Sequence, residues 1–439
     1  MTIEEVKNKR IGLISLGCDK NRVDLEKIIF NLKSFGFQIV GNPEDAEIII
    51  VNTCAFLESA RLEAIENILD MSEYKSSANL EKLVVTGCLN ELNYQDLTSS
   101  LPEVDAFVNI KDNDKIVSII LGLYNINLSI PNVIGRSLTT PQHYAYLKIS
   151  EGCNNFCTYC LIPYIRGRYK SEDIEELVNE ATRLSNIGIK ELILVAQDVT
   201  KYGVDIYGKK SLVELIRRLS AVQGIEWIRL LYCYPEEIDD DLISEIRDNP
   251  KVLKYLDIPL QHVSSRVLKA MNRRSNYESI CTLFDKLKNE IPDIIIRSTF
   301  IVGFPGETEE DVDLISKFLK TYQLQNVGFF KYSREEGTNA YKLSDQIDEK
   351  IKESRYNRLY SEQYEIINNF NQKLIGRVYD VIVDESNSDY SVTRFYGQAP
   401  EIDTVIFVDG QLPLGEILKV KIIDTLDYDL KGEIYDELT

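Results

Sequence analysis

The sequence predicts an α/β protein in three parts: an N-terminal parallel α/β sheet domain (1–135), a central partial (β/α)6 barrel (139–369) and a small antiparallel β-barrel (370–439). Three observations lead there. Short apolar runs alternate with helix-length segments through most of the chain, which is the pattern of parallel sheets. A stretch at 122–142 carrying Pro131, Gly135 and Pro141 interrupts that alternation and reads as a linker. Near residue 375 the pattern changes to β-branched runs broken by Gly and Asp. A chain of 439 residues is also too long for one ordinary core.

The elements follow in order. Apolar runs at 11–16, 47–51 and 82–86 are three strands, with helices expected at 22–34 and 58–71. Strands at 144–149, 191–196, 227–232, 255–258, 294–302 and 327–332 give six βα units. Helices at 171–186, 211–221 and 309–321 lie between them, and six units leave the barrel open on one side. Runs at 378–383, 404–408 and 418–423 form the last barrel, of the oligonucleotide-binding type.

Hydrophobic content of 44% and charged content of 27% are those of a globular chain rather than a disordered one. The polar N-terminus and the lack of any bilayer-length apolar run predict a cytoplasmic protein without membrane contact. Net charge is −20, and residues 370–439 alone carry 14 acidic and 6 basic side chains. A nucleic-acid binder draws its affinity from the opposite balance, so direct RNA binding is not expected. Phe395 and Tyr396 nevertheless offer rings that could stack on a base.

Cysteine carries the chemistry. Cys153, Cys157 and Cys160 form a Cys-x3-Cys-x2-Cys triplet directly after the first barrel strand. A closed zinc site wants a fourth ligand nearby. The next cysteine, Cys233, is 73 residues on, and the chain has only two histidines, His143 and His262. Three thiolates suit a [4Fe–4S] cluster with one open iron, which converts an electron carrier into a catalyst.

Cys18, Cys54 and Cys88 are 36 and 34 residues apart. No short motif links them, but each ends an expected parallel strand. Their thiols should emerge on one carboxyl edge, where open α/β sheets bind ligands and where they could hold a second cluster. The alternative is that they are small buried hydrophobes. Cys233 and Cys281 lack metal-like partners in sequence and are expected to be buried.

The triplet resembles the signature of the radical S-adenosylmethionine enzymes, in which that cofactor chelates the open iron. The strand and glycine turn Arg297-Ser-Thr-Phe-Ile-Val-Gly303-Phe-Pro-Gly306-Glu307 resembles their adenine-contacting segment, with Val302, Gly303 and Gly306 at the contact. Tyr159 matches the aromatic position whose backbone often meets the adenine in those enzymes; Gln197 and Asp198, after the second barrel strand, would lie on the same rim and could bond the ribose or amino group, or serve in packing and turns. As a whole the chain resembles the methylthiotransferases, including their C-terminal TRAM-like barrel.

Ser15-Leu-Gly-Cys18-Asp-Lys-Asn-Arg-Val-Asp24 is close to the pattern of the branch that modifies a ribosomal protein, Ser-Leu-Gly-Cys-x-Lys-Asn-x-Val-Asp. The transfer-RNA branch has Gly-Cys-Gln-Met-Asn there. Val51-Asn-Thr-Cys54-Ala-Phe, Val85-Thr-Gly-Cys88-Leu and Ala399-Pro-Glu-Ile-Asp403 agree with the ribosomal-protein branch, while Leu25 replaces its usual Ser.

The resemblance implies two [4Fe–4S] clusters, S-adenosylmethionine as radical source and methyl donor, and no catalytic side chain beyond the cluster ligands. The implied reaction is methylthiolation of the β-carbon of an aspartate in small-subunit ribosomal protein S-twelve, with electrons from a low-potential donor such as flavodoxin or ferredoxin. Two other readings stay open: methylthiolation of a modified adenosine in transfer RNA, and a non-catalytic iron–sulfur carrier.

Overall fold

A computed structural model describes residues 1–92 and 94–436 of the chain. They divide into two compact units. The first comprises residues 1–139, 151–154 and 160–169; the second comprises 140–150, 155–159 and 170–439.

The first unit is built on a five-stranded parallel sheet: β1 (Arg10–Ser15), β2 (Gln38–Val40), β3 (Ile48–Thr53), β4 (Lys82–Gly87) and β5 (Ala106–Val108), in the order β2-β1-β3-β4-β5. All six residues of β3 are buried, because helices cover both faces of the sheet. Side chains alternate between those faces. Ile49, Val51, Leu83 and Val85 pack with Ala64 and Ile68 of the helix Glu58–Ser77. Ile48, Ile50 and Val84 pack with Ile28, Leu32 and Ile120 on the other face.

The stretch expected to be a linker is not a loose one. Glu26 lies in the helix Asp19–Phe35, and its carboxylate accepts from Arg136 and from the Thr139 N–H and hydroxyl. Its backbone carbonyl accepts from Ser137 N.

The second unit opens with β6 (Tyr144–Lys148) and two short strands that pair together, β7 (Ser150–Glu151, partly within the first unit) and β8 (Lys170–Ser171). β9 (Glu191–Val195), β10 (Trp227–Leu230), β11 (Val252–Asp257), β12 (Ile295–Val302) and β13 (Asn326–Lys331) complete a six-stranded parallel sheet with β6, in the order β13-β12-β11-β10-β9-β6. No pairing joins β13 to β6 among the described residues, so the barrel is a partial one, as the sequence predicts. A helix that the sequence analysis does not anticipate, Glu349–Gln372, packs on β13.

The last five strands, β14 (Val378–Ser386), β15 (Tyr390–Phe395), β16 (Ile406–Asp409), β17 (Ile417–Leu426) and β18 (Asp429–Ile434), close into a small barrel. It is antiparallel except for the β16–β18 pair, which runs parallel. This barrel belongs to the second unit, and buried charge ties it to the six-stranded sheet. Glu191, the first residue of β9, accepts from Arg229 Nε at 2.7 Å and from Arg394 Nη2 at 2.9 Å. Arg394 also donates to Asp384, which meets His143 at 2.8 Å. Asp403 accepts from Arg297 and from the Tyr255 hydroxyl, each at 2.7 Å.

Candidate cluster and cofactor sites

In the first unit the three separate cysteines occupy one structural slot. Cys18 caps the helix Asp19–Phe35 just past β1, Cys54 follows β3, and Cys88 follows β4 as the first residue of the helix Cys88–Leu92. β1, β3 and β4 are adjacent and parallel, so all three thiols stand at the carboxyl edge of the sheet. Gly87 (φ +98°) permits the turn into Cys88, since a Cβ there would lie 2.4 Å from the Thr53 carbonyl oxygen.

The thiols feel one another. Cys88 is pushed up to about 12, chiefly by burial, with Arg166 opposing the rise and Cys18 and Cys54 adding to it. Burial raises Cys54 as well, with Cys18 adding to the rise. Such thiols stay protonated unless a metal takes the proton's place. Among the described residues no three His, Cys, Asp or Glu side chains are grouped around the position of one metal ion. A cubane cluster asks for something different, because each thiolate binds its own iron. Three sulfur donors on one sheet edge fit that demand.

Asn21 organises this edge. Its Nδ2 donates to Leu16 O at 3.0 Å and to Thr53 O at 2.9 Å, while its Oδ1 accepts from Arg166 and lies 3.7 Å from the Cys88 sulfur. Neither Asn21 nor Arg166 was expected at the site from the sequence. Asn21 lies inside the quoted motif around Cys18, but Arg166 gives no signal in sequence.

Within the triplet, Cys153 and Cys160 fall in the first unit and Cys157 in the second. Cys153 N donates to Gly167 O at 3.1 Å, and Cys160 Sγ accepts from Ile162 N at 3.4 Å. Cys157 Sγ lies 3.3 Å from the Tyr234 hydroxyl. The guanidinium of Arg273 sits 4.1 Å from the centroid of the Tyr234 ring, which places a buried cation near Cys157. Sequence reasoning missed this pair too.

The other expected site residues are all in the second unit. Tyr159 packs against Val267, Met271, Phe304, Tyr332 and Ala340. Gln197 is half-buried after β9. Asp198 is fully buried, its oxygens engaged by Thr200 N, Thr200 Oγ1 and Asn155 Nδ2. Burial raises its pKa despite those bonds. Asp198 therefore orders the loop before Cys157 instead of offering an open carboxylate.

Val302 is buried at the end of β12. Gly303 (φ +74°) turns the chain there, and a Cβ would lie 2.3 Å from Lys352 Cγ. Its N–H donates to Glu307 Oε1 at 2.9 Å, and Gly306 N donates to Asp345 O at 2.8 Å. The turn is thus held from both sides.

Cys233 is buried, as expected, whereas Cys281 is only half-buried on its helix. One expectation about the last barrel needs correction. Phe395 lies inside its core and Tyr396 bonds to Asp293 O, so Phe395 cannot stack on a base. Asp384 and Asp403 are spent on internal arginines, so the acidic count overstates the charge available to a partner.

Models of known families match three stretches of the chain: an uncharacterized protein family, UPF0004, over residues 10–109, the radical SAM superfamily over 147–319, and the TRAM domain over 375–434. The ribosomal protein uS12 methylthiotransferase RimO of Clostridium botulinum (strain Eklund 17B / Type B) is 48% identical to it, over 98% of both chains. The chain belongs to the RimO family. RimO proteins of Clostridium tetani and Acetivibrio thermocellus are each 47% identical to it over 98% of this chain and 98% and 99% of theirs.

Among solved structures, the radical S-adenosylmethionine methyltransferase TsrM from Kitasatospora setae aligns with a TM-score of 0.54 at 13% identity, over 74% of this chain and 75% of that one. The radical enzyme OxsB aligns at 0.52 and 12%, over 83% and 57%. These two show the shared fold alone. Membership of the RimO family makes the chain a radical SAM transferase and implies a [4Fe–4S] cluster and S-adenosylmethionine. Among the described residues no helix is long and apolar enough to cross a membrane.

Proposed function

We propose that this protein methylthiolates the β-carbon of an aspartate in ribosomal protein uS12, in the cytoplasm, with two [4Fe–4S] clusters. Cys153, Cys157 and Cys160 would hold the radical cluster, and Cys18, Cys54 and Cys88 the auxiliary one. The observation that carries the reading is identity of 48% to a RimO protein across nearly the whole of both chains.

An aliphatic carbon–hydrogen bond has no acidic proton, so no side-chain base can open it. When bound, the clusters and S-adenosylmethionine supply the radical that opens this bond and the sulfur and methyl group that replace the hydrogen. The residues themselves bind and place. The turn from Val302 through Gly303 to Gly306 offers backbone to a flat adenine, and Tyr159 and Gln197 would flank it. Asp198 acts one step back, through Asn155. The carboxyl edge of the first sheet keeps three sulfur donors together, from the exposed Cys18 to the buried Cys88. A low-potential donor such as flavodoxin or ferredoxin would deliver the electrons.

The test is anaerobic turnover of the reconstituted protein, with uS12 and hypomodified transfer RNA offered separately and each analysed by mass spectrometry. A methylthio group on an aspartate of uS12 alone supports the reading. Addition to the RNA alone would replace it with the transfer-RNA reaction.

A further inference from the structure

Arg166 has no part in the chemistry described so far, yet it is among the most deeply buried cations of the first unit. Its side chain is 2% exposed. Nη1 donates to Asp24 Oδ2 at 2.7 Å and to Glu151 Oε2 at 3.1 Å, and Nη2 donates to Asn21 Oδ1. That Asn21 oxygen is the one beside the Cys88 sulfur. The Asn21 amide nitrogen faces the carbonyls of Leu16 and Thr53, which end the chain segments leading to Cys18 and Cys54. The guanidinium and the two carbonyls together leave the amide one orientation, oxygen toward Arg166 and Cys88. Asn21 therefore touches all three segments that bear the cysteines, and Arg166 locks it.

Charge adds a second consequence. Arg166 cannot lose its proton, and a charge out of water is felt more strongly by its neighbours. The Asn21 oxygen that accepts from the guanidinium lies 3.7 Å from the Cys88 sulfur, so the charge stands close to the sulfur donors. A cluster that gains one electron becomes more negative, and a fixed cation nearby favours that state. Asp24, paired to the same guanidinium, opposes it.

We propose that Arg166 is a positioning residue of the three-cysteine site: through Asn21 it fixes the segments bearing Cys18, Cys54 and Cys88, and its charge raises the reduction potential of the cluster held there. The inference rests on the two-cluster reading above. The electron comes from the external low-potential donor, and no bond to Arg166 forms or breaks.

The test uses the full chain carrying Cys153→Ala, Cys157→Ala and Cys160→Ala, reconstituted with iron and sulfide so that only the auxiliary cluster is present. Iron per chain and the midpoint potential, followed by electron paramagnetic resonance, are the readouts. Absence of any cluster in this parent would sink the two-cluster reading itself. With the cluster present, Arg166→Gln should move the midpoint to more negative potential and Asp24→Asn to more positive. A merely structural role would not produce opposite signs, so shifts of the same sign, or none, overturn the proposal. Should Arg166→Gln fail to fold, Arg166→Lys replaces it. The proposal then stands if Arg166→Lys keeps the parent's iron content and midpoint while Asp24→Asn shifts positive; it falls if Asp24→Asn leaves the midpoint unchanged.

Discussion

The carboxyl edge of the first-unit sheet and the seam of the second unit, where the last barrel meets the six-stranded sheet, both bury polar groups, to different ends. At the seam the carboxylates of Glu191, Asp384 and Asp403 each meet a guanidinium or hydroxyl. At the sheet edge, half-buried Cys54 and buried Cys88 are thiols held away from ionisation, with one guanidinium nearby. Fully paired charges fasten two pieces of protein together, whereas sulfur donors gathered without their own cations suit a metal cluster.

The largest expected effect separates the cysteine sets. Cys153→Ala should abolish 5′-deoxyadenosine formation, whereas Cys18→Ala should leave it intact and abolish the methylthio product. Chromatography of the nucleoside and mass spectrometry of uS12 measure the two. Equal loss of deoxyadenosine in two folded variants would break the division.

At the seam, Arg394→Ala takes a guanidinium from both Glu191 and Asp384, leaving them Arg229 and His143, and should cost about 3 kcal/mol of stability, read from denaturant unfolding. The cysteine variants should leave this quantity much less changed. Acid should attack the same place. Burial pushes Glu191 and Asp384 up, but Arg394, helped by Arg229 at Glu191 and His143 at Asp384, pulls harder, so both carboxyls sit below their ordinary values. Their stabilisation is complete above the unfolded value of about 4 and is lost as pH falls through the lower folded values. Unfolding midpoints should therefore be flat with respect to this pair from pH 8 to 5 and fall below about pH 4, with a shallower fall in Arg394→Ala.

Gly303→Ala sharpens the comparison at the cofactor turn. It combines positive φ with overlap on Lys352 and should cost about 1–3 kcal/mol while weakening S-adenosylmethionine binding, measurable by calorimetry. The smallest effect is expected at Cys281→Ser. Half-buried on a helix, this residue should change stability by no more than about 0.5 kcal/mol and leave the iron content unaltered.

The strands that position the cysteines were legible because β3 and β4 are continuous apolar runs and buried parallel strands need such runs. β2 and β5, three residues each, carry too little pattern to be seen, and β15 and β18 escaped for the same reason of weak local contrast. The helix Glu349–Gln372 was missed because its exposed face is densely charged, and only its contact with β13 shows why it forms. The glycine turn was readable, yet its cause was only half apparent: the stem of Lys352 fills the space where a side chain would sit.

By itself, the sequence determined the α/β class, the alternation of strand and helix, and the placing of Cys18, Cys54 and Cys88 each after a strand, since periodicity and spacing are local properties of a chain. It also carried the family resemblance, which lives in short contiguous motifs. Tertiary structure alone decided the pairing of Glu191 with Arg394 across 203 residues, the spending of Asp384 and Asp403 inside the protein, the burial of Phe395, and the meeting of Arg166 with Asn21 across 145 residues. The physical reason is the same throughout. A charge or an amide takes its meaning from its partner, and in a buried site that partner is chosen by packing, not by proximity along the chain.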